Sequence, residues 1–234
     1  MNKIEYEKKI NALFEKWKQA RPEYEVEGKR FTIDGIADYD AWEKSKPKIL
    51  FLLKENHDEE YEPCWGITVD SKPWSLNIAR WRQILIELFR DISKEISFEI
   101  VDLPETIDDI AMVEVKKLNE GKKVSSNSDI MKYAKRDNKF LKEQIDLINP
   151  QVVLCGNTGD FYDIIYADDS SCKESERLSP DLSKCACWKY HDRLIIDFYH
   201  PSTRSDARAR ELFEILCKII KEENVFANFD WGKK

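Results

Sequence analysis

The chain has 234 residues, 42% of them hydrophobic and 12% aromatic, enough to fill one α/β core and too apolar for a disordered chain. Its formal charge of −7 supplies no overall attraction for a polyanion, so any nucleic-acid contact needs a local basic face. No apolar run approaches the roughly 18 residues of a membrane span. The charged start, Met1-Asn2-Lys3-Ile4-Glu5-Tyr6-Glu7, lacks the apolar segment of a signal peptide, so a cytoplasmic protein without membrane contact is expected. No linker divides the sequence, which reads as one domain over residues 1–234.

In chain order, residues 4–18 place Ile4, Ile10, Leu13, Phe14 and Trp17 at helical spacing, and Arg21-Pro22 ends that helix. Residues 23–45 read as a polar loop with a short strand near 29–33. After Lys46-Pro47 comes Ile49-Leu50-Phe51-Leu52-Leu53, too short for a helix and expected as a strand buried on both faces. The polar cluster Lys54-Glu55-Asn56-His57-Asp58 follows directly, at the strand end where open α/β sheets bind ligands. Residues 59–75 are loop-like and hold Cys64, Trp65 and Trp74, and residues 76–96 carry a helical period through Ile78, Trp81, Ile84, Leu85, Leu88 and Phe89.

The run Ile110-Ala111-Met112-Val113-Glu114-Val115 is the next strand, and Glu114 interrupts it. A carboxylate there is costly unless paired or used. Lys116-Lys117 follow, and with Lys122 and Lys123 they form a candidate basic face, as do Arg204, Arg208 and Arg210 further on. A Ser-rich turn, Ser125-Ser126-Asn127-Ser128, precedes a helix that stops at Asn149-Pro150, and Gln151 to Gly156 form another strand. Residues 157–190 are a less regular excursion. Cys172, Cys185 and Cys187 lie there, near His191, and are ligand types for zinc or iron–sulfur. The Cys-x-x-Cys that would open such a cluster is absent, so these are expected as thiols and no metal is assigned.

The strand Leu194-Ile195-Ile196 ends in Asp197-Phe198-Tyr199-His200-Pro201-Ser202-Thr203-Arg204, and a final helix begins near Asp206. Proline stops the strand, so the histidine stands at its carboxyl end. Strands alternating with helices predict a mostly parallel central sheet in a three-layer α/β/α sandwich.

These motifs, in this order over residues 47–220, resemble those of the uracil-DNA glycosylase superfamily. The likeness rests on His200-Pro201-Ser202, on the carboxylate after the first buried strand and on the polar residue before Lys116-Lys117. It implies a uracil-DNA glycosylase-like fold, DNA as partner, base flipping and hydrolysis of an N-glycosidic bond without metal or other cofactor. A monomer is expected. Glu55 falls where the family has its water-activating aspartate, and His57 where it has a tyrosine. The family's Gly and Pro of that first motif are absent. Asn56 and Trp65 join the base-recognition set, Trp65 by stacking. The resemblance gives His200 a hydrogen bond to O2 of the departing base and Arg204 the wedge position, with Ser202, Lys116 and Lys117 as DNA contacts.

Glu114 stands where uracil-specific members carry an asparagine that reads the pyrimidine edge. An ionised glutamate has no donor for O4 of uracil, whereas it accepts naturally from N4 of cytosine. A protonated Glu114 would donate to N3. A cytosine-type base is therefore expected, and a 5-substituted one, as in some phage genomes, because excision of ordinary cytosine would destroy the host's own DNA. A role in phage defence follows from that expectation. Two other classes stay open: a uracil glycosylase that tolerates Glu114, and a non-catalytic binding module on the same fold.

Overall fold

Five apolar residues, Ile49 to Leu53, make the strand around which the sheet is built. Ile49, Phe51 and Leu53 enter one apolar cluster and Leu50 and Leu52 another, so this strand is buried on both faces. The computed structural model describes residues 1–25, 30–56, 67–69, 72–99, 103–119, 124–168, 185–202, 205–222 and 224–227.

The chain begins with α1 (Lys3–Ala20), a 3-10 turn (Pro22–Glu25), β1 (Arg30–Phe31), β2 (Gly35–Ile36), α2 (Tyr39–Lys44) and β3 (Ile49–Glu55). It continues through β4 (Ile67–Thr68), α3 (Pro73–Arg90), β5 (Thr106–Ile107), β6 (Ile110–Lys116) and β7 (Leu118–Asn119). The remaining elements are α4 (Asn127–Ile148), β8 (Val152–Gly156), α5 (Gly159–Ile165), β9 (Ala186–Tyr190), β10 (Arg193–Phe198) and α6 (Asp206–Glu222). The principal strands and the helices with a strong apolar period lie where the sequence predicts them. β1 falls within the short strand expected near 29–33, whereas the other two-residue strands and α2 are too short to show a period, and α5 and β9 lie in the stretch 157–190 that reads as irregular.

The main sheet has the order β2-β6-β3-β8-β10-β9. Its four inner strands are parallel, and β2 and β9 pair antiparallel at the edges. Helices α3 and α6 contribute to the cluster on one face, and α1, α4 and α5 to the cluster on the other, so the protein is a mixed α/β structure that fits three layers. No helix among the described residues is long and apolar enough to cross a membrane.

From β3 the chain passes over one face, through α3, to β6. It then returns over the other face, through α4, to β8 on the opposite flank of β3. The strand order thus reverses between β3 and β8, and a crevice is expected outside their carboxyl ends. The β8 turn is tied across this point by Thr158 Oγ1, which donates to the Leu52 carbonyl at 2.7 Å. Helix α4 is set by its ends: the Ser126 side chain accepts from the Asp129 N–H, and Asn149 turns left-handed at φ 53° before Pro150.

Gly156 ends β8 at this reversal of strand order. A Cβ there would sit 2.8 Å from Leu53 Cδ2 and 3.3 Å from Pro201 Cδ, so a larger residue would push on both the Leu53 side chain and the loop after β10. The variant Gly156→Ala is expected to lose about 1–3 kcal/mol of stability in urea unfolding. Wild-type stability in that variant would show that the packing of Pro201 on β8 is loose.

Candidate active site

Three strand ends supply the chemistry. Glu55 is the last residue of β3 and pairs in register with Lys116 of β6, while Glu114 pairs with Leu53. Alternation places Leu53 and Glu55 on one face of β3, and Glu114 on the same face of β6 with Ile110 and Met112. His200 follows β10 on the far side of Leu53 and Gly156, carried by Pro201.

The Glu55 side chain is only 4% exposed. Its Oε1 accepts from the Ser125 N–H at 2.6 Å, and its Oε2 from Ser125 Oγ at 2.7 Å and Lys116 Nζ at 3.0 Å. These three donors anchor the carboxylate in one orientation. Lys116 Nζ also lies 2.7 Å from Ser125 Oγ, the spacing of a serine–lysine nucleophile pair. Here Nζ donates to Ser125 Oγ and that hydroxyl donates to Glu55, so the serine serves the carboxylate.

Lys116 and Lys117, expected as DNA contacts, are corrected by the fold: both are buried, at 1% and 0% exposure, and cannot meet a phosphate at the surface. Lys117 Nζ lies 2.5 Å from each oxygen of Asp34, and Asp34 also accepts from Gln144 Nε2 at 2.6 Å and from the backbone N–H of Glu114 at 2.7 Å. Lysine burial on this scale requires such partners.

Glu114 differs from its neighbours. Its residue exposure is 7%, and Oε2 is buried with no hydrogen-bond partner among the described residues. Burial is the main reason its pKa is pushed up, to about 8, reinforced by the Asp34 charge and opposed by Lys117. Two lysines already balance Glu55 and Asp34, so a third anion here would be uncompensated. At neutral pH Glu114 is a carboxylic acid, with one donor and one acceptor.

His200 is oriented by its own loop. The Ser202 N–H donates to Nδ1 at 3.3 Å and Ser202 Oγ lies 2.9 Å from the same atom. A backbone N–H only donates, so in the neutral ring the proton sits on Nε2. Asn77 of α3, buried, donates from Nδ2 to the Pro201 carbonyl at 2.7 Å and fixes the loop from the other side. Asp197 faces elsewhere: its Oδ1 accepts from the Gly159 N–H at 3.0 Å, and burial pushes its carboxyl up to about 6.

The structure thus brings Glu55, Glu114 and His200 to one end of the sheet. Asn56 follows β3 and is half-buried. Ser202 is exposed and serves His200. His57, Trp65 and Arg204 lie outside the described residues, as does Cys172. Cys185 and Cys187 are buried thiols, and His191 is exposed in the turn after β9. No group of three or more metal-ligating side chains occurs among the described residues. Asp34, Asn77 and Ser125 were not readable as site residues, since each acts on a partner far away in sequence.

No protein-family model matches the chain, and no curated protein matches it.

Because Glu114 keeps its proton in the folded state and releases it near pH 4.5 when unfolded, the folded form binds more protons between pH 5 and 8, and stability falls as pH rises. Glu114→Gln removes this dependence. Urea unfolding at several pH values should show the variant gaining on wild type by roughly 1.4 kcal/mol per pH unit across that window. Parallel pH profiles would mean that Glu114 is ionised throughout.

Proposed function

We propose that this protein is a divergent DNA glycosylase of the uracil-DNA glycosylase type, hydrolysing the N-glycosidic bond of a flipped cytosine-type base. The observation that carries the reading is Glu114: a buried acid, kept neutral at pH 7, with an oxygen that no described residue satisfies. Such a group is an expense to the fold, and perturbed acids of this kind cluster at reaction sites. Further support comes from its position with Glu55 and His200 at the carboxyl end of a mostly parallel sheet, beside the reversal of strand order.

A neutral Glu114 fits a cytosine edge completely. Its carbonyl accepts from N4 and its hydroxyl donates to N3. By rotating, the same acid also fits uracil, so hydrogen bonding alone does not choose between them. Chemistry does. Uracil departs tolerably as an anion, whereas cytosine needs a proton. As the C1′–N1 bond breaks, its electron pair moves into the base and the Glu114 proton passes to N3, so the base leaves neutral. The neutral His200 ring donates from Nε2 to O2 of the departing base. Water adds to the oxocarbenium carbon and releases one proton, which restores the Glu114 acid. Glu55, held by Ser125 and Lys116, orients that water and offsets the sugar's positive charge more than it acts as a base. A substituent at C5, of the kind some phage genomes carry, would mark the target base, and defence against such genomes would be the biological role.

The engagement of Glu55 favours a second reading, a module that captures a flipped base without hydrolysing it. An abasic-site assay separates the two, using DNA with uracil, cytosine, 5-hydroxymethylcytosine or its glucosylated form. Abasic sites are expected faster from a cytosine-type base than from uracil, with the cytosine rate falling above about pH 8 as Glu114 ionises. Glu114→Gln should slow excision by about 10²–10⁴-fold and His200→Ala by about 10²–10³-fold. Faster excision of uracil than of every cytosine-type base, with no fall above pH 8, would remove the cytosine claim and keep the enzyme class. Binding without abasic sites on any substrate would establish the capture module.

A further inference from the structure

Three arginines of α3 and α6 stack on aromatic rings, and only Arg208 and Arg210 also have carboxylate partners among the described residues, Glu211 and Glu99. Arg80 of α3 and Arg210 of α6 both stack on Phe98, their guanidinium carbons 4.1 and 4.5 Å from the ring centroid. Arg208 stacks in the same way on Tyr199, the residue before His200, at 4.8 Å. Among the described residues Arg80 makes no hydrogen bond or ion pair, and its Nε is buried without an acceptor. Arg208 and Arg210 lie near the start of α6, where the helix dipole disfavours cations. Arg210 reaches Glu99 at 2.8 Å, but both side chains are exposed, at 48% and 72%, and such pairs exchange readily with other anions.

Two guanidinium forks held against one ring, 4.1 and 4.5 Å from its centroid, repel one another, and a shared anion would relieve that repulsion. Stacking fixes those forks, so they suit an acceptor with several oxygens. Tyr199 links the group to the His200 loop. From this geometry we infer that Arg80 and Arg210 clamp a backbone phosphate of the DNA strand that enters the candidate active site. The inference rests on the glycosylase reading for its choice of DNA. In a chain with a net charge of −7 it also supplies the local basic contact that Lys116 and Lys117, being buried, do not.

The test is equilibrium binding of a fluorescent oligonucleotide that carries no excisable base, measured from about 0.05 to 0.2 M salt. Arg80→Gln and Arg210→Gln should each weaken binding about fivefold or more and reduce the slope of log affinity against log salt by about 1, for every sequence tried. Glu99→Gln, which releases Arg210, should tighten binding and needs no arginine removed. Lys132→Gln, an exposed charge on α4 at 75% side-chain exposure, controls for net charge and should change neither affinity nor slope by as much. Unchanged affinity and slope in both arginine variants, equal weakening by Lys132→Gln, or no DNA binding by wild type would overturn the clamp. The two readings fail separately. Arginine-dependent binding without abasic sites keeps the clamp and removes the glycosylase, whereas excision with unaltered slopes does the reverse.

Discussion

The carboxyl end of β6 is governed by charge balance in a dry environment. Two lysines and three carboxyl groups meet there, and water reaches almost none of them. Lys117 neutralises Asp34 and Lys116 neutralises Glu55. The fifth group, Glu114, has no cation left and keeps its proton. These pairs also organise the fold: Asp34 joins the edge strand β2 to β6 and to Gln144 of α4, and Glu55 joins β3 to Ser125 ahead of α4. Breaking either pair would leave a buried charge uncompensated, at a cost of about 3–5 kcal/mol.

The same scaffold leaves His200 little freedom. Gly156 admits Pro201 to the face of β3, Asn77 holds its carbonyl, and Ser202 settles which ring nitrogen carries the proton. A buried acid on β6 and an imidazole held through Nδ1 after β10 therefore arise from local packing and do not depend on a ligand. Groups positioned in this way need no reorganisation when charge develops between them.

Much of this was legible in the sequence. The apolar runs from Ile49, Ile110, Val152 and Leu194 marked the inner strands, and the Asn149-Pro150 stop corresponds to a left-handed cap. Glu114 stood out because a carboxylate in a buried strand must be paired or used. Its protonation state did not, because that depends on counting the charges around it, and Asp34 lies 83 residues from Lys117. For the same reason Lys116-Lys117 read as a solvated basic face. A lysine pair after a strand looks alike whether its carboxylates are absent or supplied from a distant loop. The arginines around Phe98 are invisible for a related reason, since α3, α6 and the intervening loop meet only in the folded chain.

On the glycosylase reading we propose, the neutral state of Glu114 also relocates specificity. An ionised glutamate would select cytosine in the bound state, by refusing uracil's O4. A carboxylic acid binds both edges, so its contacts add equally to ground state and transition state and do not by themselves accelerate either reaction. Only the interaction that strengthens as the glycosidic bond breaks can discriminate, and that is the passage of the proton to N3. Discrimination on these terms lies in the rate of the chemical step more than in affinity. A base that gains nothing from the proton can occupy the crevice and still be turned over slowly. An acid held near pKa 8 suits such proton transfer, because it stays protonated at neutral pH yet yields its proton to a base whose basicity rises as the bond opens.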